Sequence, residues 1–180
     1  MKAPFKSALL VALLFAASAA RAQTTTVIVV RHAEKGAEPA SDPPLTAAGT
    51  ARAELLADMV RDAGVSAVIT TQFQRTRMTG AAAAARLGIL PEVVDARAPM
   101  HAKAVADTVL MKHRGQTVLV VGHSNTVPEI VAALGAPKPQ PICDEGYDNA
   151  FVVTIPLSGP ASVVRLHYGQ ITPCKMVTAP

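Results

Sequence analysis

VIVVRHAEK, residues 27–35, decides how the rest of the chain is read. Four β-branched apolar residues run directly into Arg31 and His32, with Glu34 two positions further on. A run that is apolar on both faces is what a strand buried inside a parallel sheet looks like. Such a strand ends in a cation and a titratable ring only if that end meets something polar, and in sheets of this kind ligands bind outside the carboxyl ends of the strands. Arg31 and His32 are therefore candidate site residues, provided other strands bring partners to the same rim.

Further β-rich runs occur at 66–70 (SAVIT), 91–94 (PEVV), 117–121 (TVLVV), 150–155 (AFVVTI) and 162–167 (SVVRLH). Helical segments fall between the early ones. Within 46–63, Leu55, Leu56, Met59, Val60 and Ala63 mark one face, with Arg52, Asp58, Arg61 and Asp62 directed elsewhere. Thr46 suits an N-cap there and Gly64 a C-terminal stop. A second helix is predicted over about 73–86, ended by Gly88, a third over about 101–113, and a fourth after Asn125 with Pro128 in its first turn. Strands alternating with helices give a mostly parallel sheet covered on both faces, and the short PLSGPA link between the last two strands gives a C-terminal antiparallel hairpin.

Composition limits the function. Residues 1–22 carry Lys2 and Lys6, an apolar stretch from Ala8 to Ala17 and small residues ending in Ala20-Arg21-Ala22, the pattern of a cleavable secretory signal. The apolar part is short of the ~20 residues of a spanning helix. A periplasmic or secreted domain over 23–180 is expected, with no stable membrane insertion after cleavage. Losing Lys2, Lys6 and Arg21 takes the 17 basic residues to 14, against 13 acidic ones. That near-neutral chain has no basic run of the kind that binds nucleic acid. Cys143 and Cys174 would meet an oxidising compartment, where a disulfide is the favoured reading and two separate thiols the other.

Two more junctions repeat the first design. TVLVV ends in Gly122-His123-Ser124-Asn125, and SAVIT leads through Thr71 into Gln74-Arg75-Thr76-Arg77. One histidine after a strand is an ordinary structural plug, whereas two histidines on one rim beside Arg31 and Arg75 make a reactive set. Guanidinium groups offer a planar fork matched to phosphate oxygens. A neutral imidazole held in one tautomer can take a phosphoryl group covalently, and a second, protonated one would stabilise charge on the equatorial oxygens. Phosphoryl transfer through a phosphohistidine, with water as final acceptor, is the reaction class. Two residues along a helix is the wrong spacing for Arg77 to share a face with Arg75.

VVRHAEK, LTAAGTARAELL, TTQFQRTRMTG and VVGHSNTVPEIV, in this order, resemble the histidine phosphatase superfamily, the phosphoglycerate-mutase-like phosphatases. YDNAFVVTI at 147–155 resembles the late strand of its small secreted members. The resemblance implies a three-layer α/β/α sandwich with no metal or organic cofactor. It makes His32 the nucleophile, Arg31 a phosphate ligand, His123 the second histidine, and Arg75 the arginine of a motif in which Thr71 and Thr79 also stand. Ser124 and Glu34 would touch substrate.

The general acid departs from the pattern. Relatives place a carboxylate in an insertion after the second helix, or an aspartate directly after the second histidine, where Ser124 stands here. Asp95 is the nearest carboxylate at a strand end and the expected acid, with Glu34 the other candidate and a turn residue the plain alternative for Asp95. A weak acid arrangement favours good leaving groups. The expected substrate is a phosphorylated small molecule or phosphoprotein. The alternative is a phosphate-binding module with little turnover. A metallohydrolase built on His32, Glu34 and His123 is disfavoured by the adjacent arginines.

Overall fold

The structure, a computed structural model, describes residues 24–172 and Cys174. Residues 1–22, where the sequence leads one to expect a cleavable signal, lie outside the described residues. Six strands and four helices alternate as β1 (Thr25–Arg31), α1 (Ala47–Met59), β2 (Val65–Thr70), α2 (Gln74–Leu87), β3 (Glu92–Val93), α3 (His101–Lys112), β4 (Thr117–Gly122), α4 (Val127–Ala133), β5 (Asn149–Ile155) and β6 (Ser162–His167). They form one sheet in the order β3-β2-β4-β1-β5-β6. β3, β2, β4 and β1 pair in parallel, while β5 runs antiparallel to both β1 and β6. The α/β fold with a mostly parallel sheet and a C-terminal antiparallel hairpin is thus as the sequence predicts.

The alternation along β1 builds the two sides of the core. Val27 and Val29 pack with Val118 and Val120 and with residues of α3 and α4, such as Val105 and Ile130. Ile28 and Val30 pack with Leu119 and Val121 against Leu56, Ala83 and Ala84 of α1 and α2. Burial of β1 on both faces explains its unbroken run of β-branched residues.

The helix ends follow local rules. The Thr46 side chain accepts the Gly49 amide at the N-terminus of α1. Gly88 closes α2 at φ 66°, a left-handed conformation that glycine adopts without cost. The expected inner face of α1 is corrected. Gly49, Arg52, Ala53, Leu56 and Ala57 are its buried residues, continued by Val60, whereas Leu55 and Met59 are largely exposed. Positions 49, 52, 53, 56, 57 and 60 form a helical stripe, but it contains a glycine and an arginine that a reading by hydrophobicity assigns elsewhere. The helix also stops at Met59 rather than 63, and the chain turns through Gly64 at φ 68° into β2.

Cys143 and Cys174 form a disulfide, with Cα atoms 5.8 Å apart. It ties the connection between α4 and β5 to the segment after β6. No helix among the described residues is long and apolar enough to cross a membrane.

Candidate active site

β1 and β4 are parallel neighbours with Arg31 opposite Gly122. The next residue of each strand is therefore a histidine beside a histidine. The His32 amide donates to the Gly122 carbonyl at 2.9 Å, and the two rings meet edge-on with centroids 5.4 Å apart. β2 pairs with the other side of β4 and supplies Thr71, whose hydroxyl lies 3.2 Å from His123 Nε2, and then α2 with Arg75.

Hydrogen bonding settles the state of His32. Its Nδ1 is 2.8 Å from the Ala33 carbonyl, which can only accept, so Nδ1 carries the proton and Nε2 keeps its lone pair. The Ala33 amide donates to Thr79 Oγ1, which donates in turn to the Arg75 carbonyl. Thr79 thus joins the nucleophile's loop to the arginine's helix. Burial is the main cause that lowers the His32 pKa to about 4, with Arg31, Arg75 and Lys35 acting in the same direction and the Ala33 hydrogen bond against them. Burial also lowers His123 to about 3, assisted by His32 and Arg75. Both rings are neutral at pH 7 in the protein alone. The protonated His123 expected during phosphoryl transfer would need the negative charge of a bound anion to hold its second proton.

Arg31 is buried. Its Nη1 donates to the carbonyls of Cys143 and Asp144, each at 2.8 Å, and its guanidinium lies 4.3 Å from the centroid of the Tyr147 ring. Arg75 stacks on Phe73 at 4.2 Å and has Nη1 3.6 Å from Asp42 Oδ1. Nε of each guanidinium is buried with no hydrogen-bond partner among the described residues. Two donors so placed are available to a ligand, since buried N–H groups in proteins are rarely left unpaired.

Arg31, His32, Arg75, His123 and Ser124, all expected site residues, line one open cleft of about 390 Å³. Two expected members stand elsewhere. Asp95 is exposed and does not line the cleft, and its Oδ1 accepts the Arg97 amide two residues on, the short-range turn bond that aspartate favours. Glu34 accepts the Arg52 Nε at 2.9 and 3.0 Å and is drawn away to α1 as the partner of a buried cation. Arg77 lines a larger, separate hollow of about 790 Å³ on another face of α2, with Met78, Ala81 and Ile89, and none of the site histidines is there. His101, His113 and His167 engage the Asp95 carbonyl, Glu92 and Asp148 and do not line the cleft.

Several cleft residues have no counterpart in the sequence reading. Lys35 and Arg97 add cations to the wall, Phe73 carries Arg75, and Asp144 brings a carboxylate from the disulfide-closed connection. A polar loop residue such as Asp144 carries no periodic signal. Its approach to β1 depends on how the chain returns after α4.

Residues 27–98 match the family described as histidine phosphatase superfamily (branch 1). No curated protein matches the chain. Among solved structures, the protein histidine phosphatase SixA complexed with tungstate superposes with a TM-score of 0.65 at 22% identity, covering 79% of this chain and 96% of that one. YhfR of Bacillus stearothermophilus gives 0.60 at 18%, covering 82% and 98%. A mycobacterial glucosyl-3-phosphoglycerate phosphatase gives 0.57 at 14%, covering 73% and 91%. At these identities the structural likeness establishes the shared fold.

Proposed function

We propose that this chain is a member of the histidine phosphatase superfamily, whose family model matches residues 27–98, and that it hydrolyses phosphorylated substrates through a phosphohistidine on His32 Nε2. The observation that carries the reading is the pair of buried, unpartnered Nε donors of Arg31 and Arg75 beside a neutral His32 whose Nδ1 is already committed to Ala33.

Each step follows from those groups. The arginines take the equatorial phosphate oxygens, and Nε2 attacks phosphorus in line with the departing group. The Nε2–P bond forms as the P–O or P–N bond breaks, and the leaving group keeps the electron pair. The phosphate's charge favours protonation of His123 through its unengaged Nδ1, which then balances charge on the transferring group. In the second step water attacks phosphorus as the Nε2–P bond breaks, Nε2 takes back the electron pair, and the water's proton passes to solvent or stays on the released phosphate, which restores the free ring. Two fixed guanidinium groups supply the electrostatic stabilisation, so the chemistry is metal-independent in this proposal.

The substrate class follows from the acid. With Asp95 turned into its own loop and Glu34 bound to Arg52, neither expected acid is placed to protonate a poor leaving group, and Asp144, the remaining acidic residue of the cleft among the described residues, is exposed to solvent rather than set in the water-poor pocket that raises a carboxyl pKa. Phosphoramidates, acyl phosphates and aryl phosphates require least from such a site. A phosphoramidate carried on a protein histidine fits this requirement, and the likeness to SixA, a protein histidine phosphatase, supports it. The open cleft leaves room for a phosphorylated protein or small molecule. Export and removal of residues 1–22 are part of the proposal, and the disulfide supports an oxidising compartment.

The test is single-turnover hydrolysis of an activated aryl phosphate and of phosphoimidazole by the mature protein, quenched in alkali, with mass spectrometry of the His32 peptide. A burst with one phosphoryl group on that peptide, absent in His32→Ala and unaffected by EDTA, is expected. Phosphate binding without turnover or label would identify a receptor for phosphorylated ligands instead. Activity abolished by EDTA and restored by zinc would overturn the metal-independent mechanism.

A further inference from the structure

We infer that the Cys143–Cys174 disulfide is a positioning element of the phosphate site, acting through the carbonyl cradle that aims Arg31. The inference rests on the proposed role of Arg31 as a phosphate ligand.

Arg31 Nη1 has two hydrogens and meets the carbonyls of Cys143 and Asp144 at 2.8 Å, with the Gly146 carbonyl at 3.5 Å. Both hydrogens of Nη1 are thereby committed to backbone, and Nη2 and the buried Nε, without hydrogen-bond partners among the described residues, remain for a ligand. Peptide carbonyls fix a guanidinium without cancelling its charge. A carboxylate in the same place would hold the group equally well but would compete with phosphate for it. A long side chain that must be ordered at the moment of binding loses affinity, and a cradle made in advance removes that cost.

The cradle has little regular structure of its own. It lies in the connection between α4 and β5, with internal turn bonds only from the Gly146 amide to the Cys143 carbonyl and from the Tyr147 amide to the Glu145 carbonyl among the described residues. The disulfide joins its first residue to the segment after β6. That segment is held by the body of the domain: Arg52 of α1 donates to the Tyr168 and Gln170 carbonyls, and Thr172 Oγ1 accepts the Tyr147 amide and donates to Asp148. Tyr147 then stacks on Arg31. A path of covalent and hydrogen bonds thus runs from α1 through the disulfide to the carbonyls that aim the guanidinium.

The experiment measures inorganic phosphate affinity by calorimetry, and KM and kcat for an aryl phosphate, in the wild type, Arg31→Ala, the double variant Cys143→Ala/Cys174→Ala, and the combination, all well below their melting temperatures. Without the bridge, phosphate Kd and KM are expected to rise by about tenfold, which is about 1.4 kcal/mol. kcat is expected to change much less. Arg31→Ala should then weaken phosphate binding far less in the bridgeless background than in the wild type, a coupling that a purely global stabiliser would not produce. Unchanged phosphate affinity in the folded bridgeless protein, or effects that simply add, would overturn the inference. If the double variant does not fold, the wild type is reduced in place with dithiothreitol, which leaves two protein thiols and its own cyclic disulfide, and the same readings apply to that protein and to reduced Arg31→Ala. Phosphate affinity is read without turnover. Wild-type protein that binds phosphate but never turns over would sink the proposed function alone.

Discussion

His32 is neutral for two separable reasons, burial and surrounding cations, and the difference can be measured at Arg75. Arg75 lowers both histidines, so Arg75→Ala should raise the pKa of His32 above about 4 and that of His123 above about 3, seen in the ring resonances of labelled histidine. Arg75→Lys should keep both histidines low while losing the planar fork, with kcat/KM down by roughly tenfold or more, on the scale of one lost charge-assisted hydrogen bond. A lysine variant that restores full activity would show that only charge is needed at this position. Arg31, His32, Arg75 and His123 were all legible from where they stand after strands. Glu34 and Asp95 were misplaced because a carboxylate goes to its nearest strong donor. Here those donors are a buried guanidinium for Glu34 and a backbone amide two residues away for Asp95.

α1 shows how an element can be right in place and wrong in orientation. Its buried stripe includes Gly49 because the helix presses against the backbone that follows His32, and a Cβ at Gly49 would collide with the backbone of Glu34. Gly49→Ala is expected to cost about 1–3 kcal/mol by overpacking and to depress kcat as the His32 loop shifts, read from urea melts and steady-state rates. Arg52, on the same stripe, binds Glu34 and two carbonyls of the C-terminal segment. Arg52→Ala should lower stability by about 3 kcal/mol, the low end for breaking a buried pair, because Glu34 retains some contact with water. A loss below 1 kcal/mol in denaturant melts would mean that water replaces the guanidinium at little cost. Hydrophobic patterning could not find this face, since a paired arginine and a contact glycine both read as outward.

The whole molecule carries the signature of its two buried histidines in its dependence on pH. In the folded protein His32 and His123 titrate near about 4 and 3, below the ordinary value of 6.5, so the unfolded chain takes up protons first. Stability is therefore complete only well above pH 6.5, and falls as pH drops through 6.5 toward 4. Near pH 5 close to two protons separate the states, a slope of up to about 2.5 kcal/mol per pH unit. Urea unfolding at pH 7, 6 and 5 would measure it, and His32→Asn should remove roughly half. A flat profile would mean that the rings are more solvated than their burial implies. The sequence by itself determined the alternating elements, the parallel core and the arrival of two histidines and Arg75 at strand ends, because these follow from local periodicity and chain direction. Only the tertiary structure decided that β4 lies between β1 and β2, which sets His32 beside His123. It also decided that the disulfide-closed connection folds over the end of β1 to hold Arg31. Those are contacts between segments far apart in the chain, 112 and 113 residues for Arg31 and its two carbonyls, and no local pattern encodes which distant backbone will offer its carbonyls to a buried guanidinium.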